Sequence, residues 1–194
     1  MPGIMVWELL YSLFKRTTMK KHFESIGGVF IMLGTVAVLA FTNADDAFLS
    51  KVSQANLGEI AAGKLAVSKG SSAEIKKLGQ KMVDDHSAAQ KEVVILAKKE
   101  SLTIPREPDP GHTAVNGQLS GMSGNAFDST YLKTQLADHQ AAVSLFEAES
   151  ASGTDPDAIA YAKKYLPKLK MHLKMFQSAG AASVKTADAS AALP

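Results

Sequence analysis

Two long segments of the chain carry the same Asp-His pair within a helical pattern of apolar residues. Asp85-His86 lies in MVDDHSAAQ, and Asp138-His139 lies in LADHQAAV. Apolar residues recur every three to four positions in both segments, which is the spacing of one face of an amphipathic helix. The two faces comprise Ile75, Leu78, Met82, His86, Ala89, Val93 and Leu96, and Leu132, Leu136, His139, Val143 and Phe146. This pattern predicts an all-α helical bundle with both histidines directed into its core.

The same periodicity, together with capping residues, divides the chain after residue 44 into four predicted helices. They cover residues 45–70, 72–100, 125–152 and 155–179. Ser71 and Glu74 fit a capping box before the second helix, and Asp155-Pro156 fits the start of the fourth helix, which Pro167 should kink. Residues 180–194 are small, polar and aperiodic, so we predict a disordered tail after a bundle domain of residues 45–179.

The segments between the predicted helices set the topology. Short turns at Gly70 and Gly153 predict two helical hairpins. Residues 102–124 contain three prolines and four glycines and predict a long crossover connection, in which Asp109-Pro110 could open a short helix. Two hairpins joined by one long connection are typical of an antiparallel four-helix bundle of the ferritin-like type. Residues 48–70 also align with 131–153 without a gap, which places Asn56 opposite His139.

Distances along the chain predict one polar layer in the bundle core. Asn56 lies 14 residues before Gly70 and His86 lies 16 after it. His139 lies 14 residues before Gly153, and His172 lies 19 after it. At a rise of about 1.5 Å per residue, the members of each hairpin agree in height to within about one turn. The predicted layer contains Asn56, His86, His139 and His172, with Glu59 one turn from Asn56.

Two interpretations of this layer remain open. The favoured one is a hydrogen-bonded network that fixes the register of the bundle. The alternative is a site for zinc, iron or copper with His86, His139, His172 and Glu59 as ligands. The ferritin di-iron pattern is absent, because it needs a glutamate three residues before histidine on two helices. Val83 and Leu169 occupy those positions.

Three other residues near the layer are not expected to be ligands. Successive side chains on a helix point about 100° apart, so Asp85 and Asp138 are directed away from the layer that the adjacent histidines face. His112 belongs to the crossover connection, where we expect it to be solvated. The sequence contains no Gly-rich phosphate loop, nucleophile elbow or H-E-x-x-H motif, so we predict no catalytic or cofactor-binding residue and favour a non-enzymatic protein.

The N-terminal 44 residues are predicted to be an extension followed by a signal peptide, whose layout residues 20–44 show. Two lysines at 20 and 21 precede an uncharged apolar run over 26–41, and the segment ends at Ala44, where we predict cleavage. The run would span about 24 Å as a helix, less than the roughly 30 Å of a bilayer core. Periplasmic or secreted protein is therefore favoured over a chain anchored by an uncleaved segment. Residues before Met19 have no role in this layout, so we expect translation to start at Met19.

Charge balance and the absence of cysteine exclude several classes of partner and site. Beyond residue 44 the chain has 17 basic and 17 acidic residues, and this balance argues against nucleic-acid binding, which depends on clustered basic residues. Membrane contact is expected only through the N-terminal segment, and homo-oligomerisation remains open. The chain has no cysteine, which excludes disulfides, thiolate metal ligands and a cysteine nucleophile.

Several motifs, in order, resemble one protein family. They are DDAFLSKVSQANLGEIAAGKLA, MVDDH, ADHQAAVSLFE and DPDAIAYAKKYLPKLKMHL, and together they extend from about Asp45 to Ala179. The chain resembles the exported bacterial proteins of the domain of unknown function 4142 family, often labelled "predicted outer membrane protein". The resemblance implies a ferritin-like helical fold, a periplasmic or surface-associated location and a link to stress responses. It supplies no activity, so we predict a binding or stress-protective protein of the cell envelope, with metal-binding or redox function as the alternative.

Overall fold

Five helices make up the part of the chain that the computed structural model describes, which is the backbone of residues 44–191 and the side chains of residues 44–182. They are α1 (Ala44–Lys69), α2 (Ala73–Lys99), α3 (Pro110–Ser120), α4 (Gly124–Ser152) and α5 (Pro156–Ala191). The predicted signal segment before Ala44 and the expected start at Met19 lie outside the described residues. Within residues 44–191 there is no strand, and no helix is both long and apolar enough to cross a bilayer. The described part is thus an all-α helical bundle.

Capping side chains explain where several helices begin. The Ser72 hydroxyl accepts a hydrogen bond from the backbone N–H of Ile75 at the start of α2, so Ser72 is the cap and the predicted capping box of Ser71 with Glu74 is wrong. Ser71 instead donates hydrogen bonds to the carboxylate of Asp128 on α4. Asp109 caps α3 with Pro110 in the first turn, which forms the short helix that this dipeptide could open.

The last helix continues beyond the point where the sequence predicted irregular structure. α5 contains Pro167 in its interior and extends past Gly180 to Ala191. The segment after Gly180 is rich in alanine, which has the highest helix propensity, and this intrinsic preference accounts for a helix without an apolar face. The prediction of a tail without secondary structure from residue 180 therefore differs from the structure.

The helices α1 and α2 approach each other closely through two glycines. A Cβ atom on Gly63 would lie 2.7 Å from the carbonyl oxygen of Gly79, so the two backbones are separated by less than a side chain. Toward the other end of the pair, the Gln90 side chain donates to the Ser53 hydroxyl at 2.9 Å. Residue numbers rise on α1 as they fall on α2 in these contacts, which is the pairing of a helical hairpin.

Two equivalent contacts join the two halves of the bundle. The Asp45 carboxylate at the start of α1 accepts hydrogen bonds from the backbone N–H (2.9 Å) and hydroxyl (2.5 Å) of Thr154, in the turn before α5. The Asp128 carboxylate near the start of α4 accepts the same pair of bonds from Ser71, at 2.9 and 2.6 Å, in the turn before α2. Asp45 and Asp128, like Ser71 and Thr154, are related by the offset that aligns residues 48–70 with 131–153. The internal repeat is therefore visible in the structure.

The core consists of two apolar clusters separated by polar side chains. One cluster contains Phe48, Val52, Ala89, Phe146 and Tyr161 among its members, and the other contains Ala62, Met82, Leu132, Tyr131 and Phe176. On each of the four long helices, buried polar residues lie between members of the two clusters. They include Asn56 on α1, His86 on α2, His139 on α4 and His172 on α5, with Ser53 and Glu59 also on α1 and Gln135 also on α4.

Candidate metal centre

Three histidine side chains from three helices meet in this polar layer. The ring centroids of His86 and His139 are 5.6 Å apart, those of His86 and His172 are 5.6 Å apart, and those of His139 and His172 are 5.3 Å apart. The exposed fraction is 7% for His86 and 1% for each of the other two residues. The structure therefore brings together the three histidines that the sequence assigned to one layer.

Each imidazole makes one hydrogen bond to an acceptor outside the group of three. Nδ1 of His86 lies 2.9 Å from Oδ1 of Asn56, and Nδ1 of His139 lies 2.9 Å from the backbone carbonyl oxygen of Gln135. Nε2 of His172 lies 2.7 Å from a carboxylate oxygen of Asp85. Carbonyl and carboxylate oxygens only accept, so each of these ring nitrogens carries the hydrogen and donates it.

The second nitrogen of each ring is left with a lone pair inside the core. Nε2 of His86, Nε2 of His139 and Nδ1 of His172 are buried and have no hydrogen-bond partner among the described residues. Each of the three rings offers a nitrogen within 4.8 Å of a nitrogen from each of the others. Three neighbouring buried rings thus each retain an acceptor nitrogen without a donor.

The electrostatic surroundings keep the rings neutral at physiological pH. Burial lowers the pKa of His139 and of His172 to about 4. Burial and the neighbouring His139 and His172 lower the pKa of His86 well below its usual range. Burial opposes ionisation of Asp85, yet hydrogen bonds from Lys168, Lys81 and His172 hold the pKa of that carboxyl group below its usual range. Metal coordination requires neutral imidazoles, and it is favoured when a ligand histidine donates its other N–H to an ionised carboxylate, as His172 does to Asp85.

Asn56 links the layer to the apolar cluster that contains Ala89 and Tyr161. Its side-chain N–H lies 3.5 Å from the Tyr161 hydroxyl, which in turn donates to the backbone carbonyl of Ala89 at 3.2 Å. Asn56 therefore orients the His86 ring from outside the group of three.

Glu59 lies away from the three-histidine group, although the sequence placed it in the same ligand set. It is 3% exposed, and it offers a potential ligand atom within 4.8 Å of ligand atoms of His112 and Asp138. The Gln135 side chain hydrogen-bonds its carboxyl group, while burial and the nearby Asp138 raise the pKa of Glu59 to about 8. Glu59 is therefore protonated near neutral pH in the absence of a cation.

Sequence reasoning missed several residues around the layer. Asp85 supports His172 although it lies on another helix, and Gln135 contacts both His139 and Glu59. The repeated Asp-His pair is the sequence signal for Asp85, but successive side chains on a helix point about 100° apart, so the contact of Asp85 with His172 does not follow from it. The expectation that His112 is solvated is wrong, because α3 packs its ring against α1 at Gly58.

A cavity of about 220 Å³ adjoins the layer. Its lining includes His86 and His139 from the three-histidine group and Glu59, His112 and Asp138 from the second group. Three imidazole lone pairs provide nitrogen ligands suited to zinc, copper or iron, and three protein ligands leave coordination positions for a further group. The cavity provides room for such a group.

The comparisons with known proteins identify a family. The family model described as "Domain of unknown function (DUF4142)" matches residues 33–179. The chain matches none of the curated proteins and none of the solved structures with which it was compared. The family match covers more than half of the chain, so the protein belongs to the DUF4142 family of domains of unknown function.

Proposed function

We propose that this protein binds a transition metal ion through His86, His139 and His172. The observation that carries the proposal is the set of buried, unpartnered ring nitrogens, one from each histidine, at a site where every ring already donates its hydrogen to an outside acceptor. In protein metal sites the ligand histidine commonly donates its other N–H to a carboxylate or backbone carbonyl, which fixes the tautomer and the ring orientation. His139 and His172 have these partners here.

The alternative of a purely structural network explains the same contacts less completely. None of the hydrogen bonds among the described residues joins two of the three histidines. A buried polar atom without a partner costs about 1–3 kcal/mol, and such a network leaves three of them in one place. A metal ion uses all three lone pairs at once. The three unpartnered ring nitrogens therefore favour a metal site over the network that the sequence alone favoured.

The ligand chemistry favours a borderline or soft first-row ion. Three neutral imidazoles suit zinc, copper and iron, whereas magnesium and calcium prefer oxygen ligands. Zinc–imidazole bonds are about 2.0–2.1 Å long, so the ring nitrogens must approach each other from their separation of up to 4.8 Å when an ion binds. Such a contraction needs only small side-chain movements in a layer held by four helices.

We further propose that the bundle has the antiparallel four-helix topology of ferritin-like proteins and acts in the cell envelope. The α1–α2 hairpin, the α3-containing crossover and the repeat-related contacts of Asp45 and Asp128 support the topology. The lysine-flanked apolar segment before Ala44 supports export followed by cleavage. An exported bundle that retains a transition metal would have a binding and protective role, and no enzymatic step is required of it.

Zinc binding by untagged, full-length protein tests this function. After treatment with a chelator, the protein would be titrated with Zn²⁺ against a chromophoric competitor, and its melting temperature recorded with and without the ion. We expect tight binding that raises the melting temperature and is weakened at least 100-fold in His139→Ala and in His172→Ala. At a free concentration 100 times the Kd, binding stabilises a protein by about 2.7 kcal/mol.

Gln140→Ala is the matched control, because Gln140 is the exposed neighbour of His139 on the same helix. It should bind Zn²⁺ as the wild type does. Circular dichroism of the apo proteins reports whether each variant retains its helices. Folded His139→Ala and His172→Ala variants that bind Zn²⁺ with wild-type affinity would refute the proposal.

A further inference from the structure

A second group of potential ligands lies in the same cavity as the three histidines. Glu59 on α1, His112 on α3 and Asp138 on α4 each offer one ligand atom, and these atoms lie within 4.8 Å of one another. All three residues line the cavity of about 220 Å³ that also borders His86 and His139. The second group therefore joins three helices beside the first.

One member of this group, the Glu59 carboxyl group, has an unsatisfied buried oxygen. The residue is 3% exposed, and its Oε2 atom has no hydrogen-bond partner among the described residues. Gln135 hydrogen-bonds the carboxyl group but leaves Oε2 unpartnered. A buried carboxyl oxygen without a donor is costly unless a cation or another donor reaches it.

Two contacts between α3 and Gly58 place His112 beside Glu59 and Asp138. A Cβ atom on residue 58 would lie 2.4 Å from the His112 ring, so the ring occupies space that only glycine leaves free. The Asn116 side chain donates to the backbone carbonyl of Gly58 at 3.1 Å and holds α3 against α1. Packing of this kind explains why a histidine of the crossover is only partly exposed.

The His112 ring is also oriented as a ligand would be. Its Nδ1 atom donates to the Asp109 carboxylate at 2.6 Å, and the backbone N–H of His112 donates to the same carboxylate at 3.0 Å. This arrangement fixes the tautomer that leaves the Nε2 lone pair available, as in carboxylate–histidine–metal arrangements. Asp109 thereby plays for His112 the part that Asp85 plays for His172.

We propose that Glu59, His112 and Asp138 bind a second divalent cation. Two carboxylates and one imidazole make a harder ligand set than three imidazoles, which favours manganese, iron or zinc over copper. The proposal goes beyond the three-histidine site, and each site can exist without the other. If both are filled, the cavity holds two cations of different ligand preference, with His86 and His139 from one site and Glu59 and Asp138 from the other along its wall.

The number of zinc ions bound per chain tests the second site. Untagged, full-length apo protein would be dialysed against excess Zn²⁺, washed through a desalting column, and assayed for metal by elemental analysis. We expect two equivalents in the wild type and one in Glu59→Gln, Asp138→Asn and His112→Ala. Glu147→Gln, which removes an exposed carboxylate of α4, is the matched control and should retain two.

The same measurement separates failure of this site from failure of the three-histidine site. One equivalent in the wild type that persists in Asp138→Asn and disappears in His172→Ala would overturn the second site and leave the first intact. One equivalent that disappears in Asp138→Asn and persists in His172→Ala would support the second site and overturn the first. Glu59→Gln and Asp138→Asn preserve side-chain size, and an unchanged far-ultraviolet circular dichroism spectrum shows that they fold.

Discussion

The Nε2–H group of His172 donates to the carboxylate of Asp85 at 2.7 Å, and this contact joins α5 to α2 beside the three-histidine group. Asp85 also accepts hydrogen bonds from Lys81 on its own helix and Lys168 on α5, at 2.9 and 2.8 Å. The two lysines keep the carboxylate ionised, and the carboxylate in turn keeps the hydrogen of His172 on Nε2. The Nδ1 lone pair is consequently directed to the core.

Loss of the Asp85 charge should weaken zinc binding without removing a ligand. Asp85→Asn retains the size of the side chain but can present its N–H₂ group to His172, so the tautomer of the ring is no longer fixed. Substitution of such outer partners typically lowers metal affinity by about 10–100-fold. A competition titration with Zn²⁺ would measure the change.

Asp84→Asn is the matched control for that experiment. Asp84 precedes Asp85 on α2, is exposed, and contacts only the Gln80 side chain in the hydrogen bonds of the described residues. Equal zinc affinities of Asp84→Asn and Asp85→Asn would show that the contact with His172 does not support the site.

Helical geometry explains how much of the site could be predicted. The rise per residue and the two hairpin turns set the heights of Asn56, His86, His139 and His172, and these residues do lie between the two apolar clusters. Periodicity describes only which way a side chain leaves its own helix. It could not show that Asp85 reaches His172 on α5, because that contact depends on how the helices pack against each other.

The position of His112 could not be predicted for a different reason. A segment rich in proline and glycine gives no periodicity from which to derive packing, and α3 is located by its contacts with Gly58. Glu59 was assigned to the three-histidine layer because it lies one turn from Asn56. That turn is about 5 Å along the helix, enough to place its carboxyl group with His112 and Asp138 instead.

The close approach of α1 and α2 predicts that an added methyl group is harmful at Gly79. A Cβ atom there would lie 2.6 Å from Cβ of Ala66 and 2.7 Å from the carbonyl oxygen of Gly63. Gly79→Ala should therefore lower the free energy of unfolding by about 1–3 kcal/mol, as overpacking does, despite the better helix propensity of alanine. Urea unfolding followed by circular dichroism would measure it.

Gly117→Ala is expected to have the opposite effect on the free energy of unfolding. Gly117 lies within α3, and nothing approaches within 4 Å of the position that its Cβ would occupy. The substitution should stabilise the protein by about 0.5–1 kcal/mol, because alanine loses less conformational entropy in a helix. Similar effects of the two substitutions would contradict the packing of the α1–α2 hairpin.

The repeat-related contact of Asp128 with Ser71 should contribute measurably to stability. Asp128→Ala removes an acceptor that binds both the backbone N–H and the hydroxyl of Ser71. We expect a loss of about 1–3 kcal/mol in the free energy of unfolding, the usual range for a hydrogen bond to a charged group or an unpaired buried donor. Ser129→Ala changes the exposed neighbour and should have little effect. A smaller loss for Asp128→Ala than for Ser129→Ala would argue against this junction between the two halves.

The contact between Asp45 and Thr154 should make stability depend on pH, because a second carboxyl group, that of Glu149, lies beside Asp45. The hydrogen bond from the Thr154 hydroxyl lowers the pKa of Asp45 to about 2, whereas burial and the neighbouring Asp45 raise the pKa of Glu149 from 4.5 to about 7. The protonated form of Glu149 is therefore favoured by folding. Its contribution to stability is fully present below pH 4.5 and is lost as the pH rises through about 7.

Glu149→Gln tests this dependence because glutamine stays neutral at every pH. The free energy of unfolding of the wild type relative to the variant should fall between pH 4.5 and about 7 and stay constant at higher pH. Glu59, whose pKa is raised to about 8 by burial, gives a slope of the same sign but is present in both proteins and cancels from the difference. Urea unfolding across this range would measure that difference, with Glu147→Gln as the control for loss of an exposed carboxylate from the same helix. A difference that does not change with pH would mean that the pKa of Glu149 is the same in the folded and the unfolded protein, and that neither burial nor Asp45 opposes its charge.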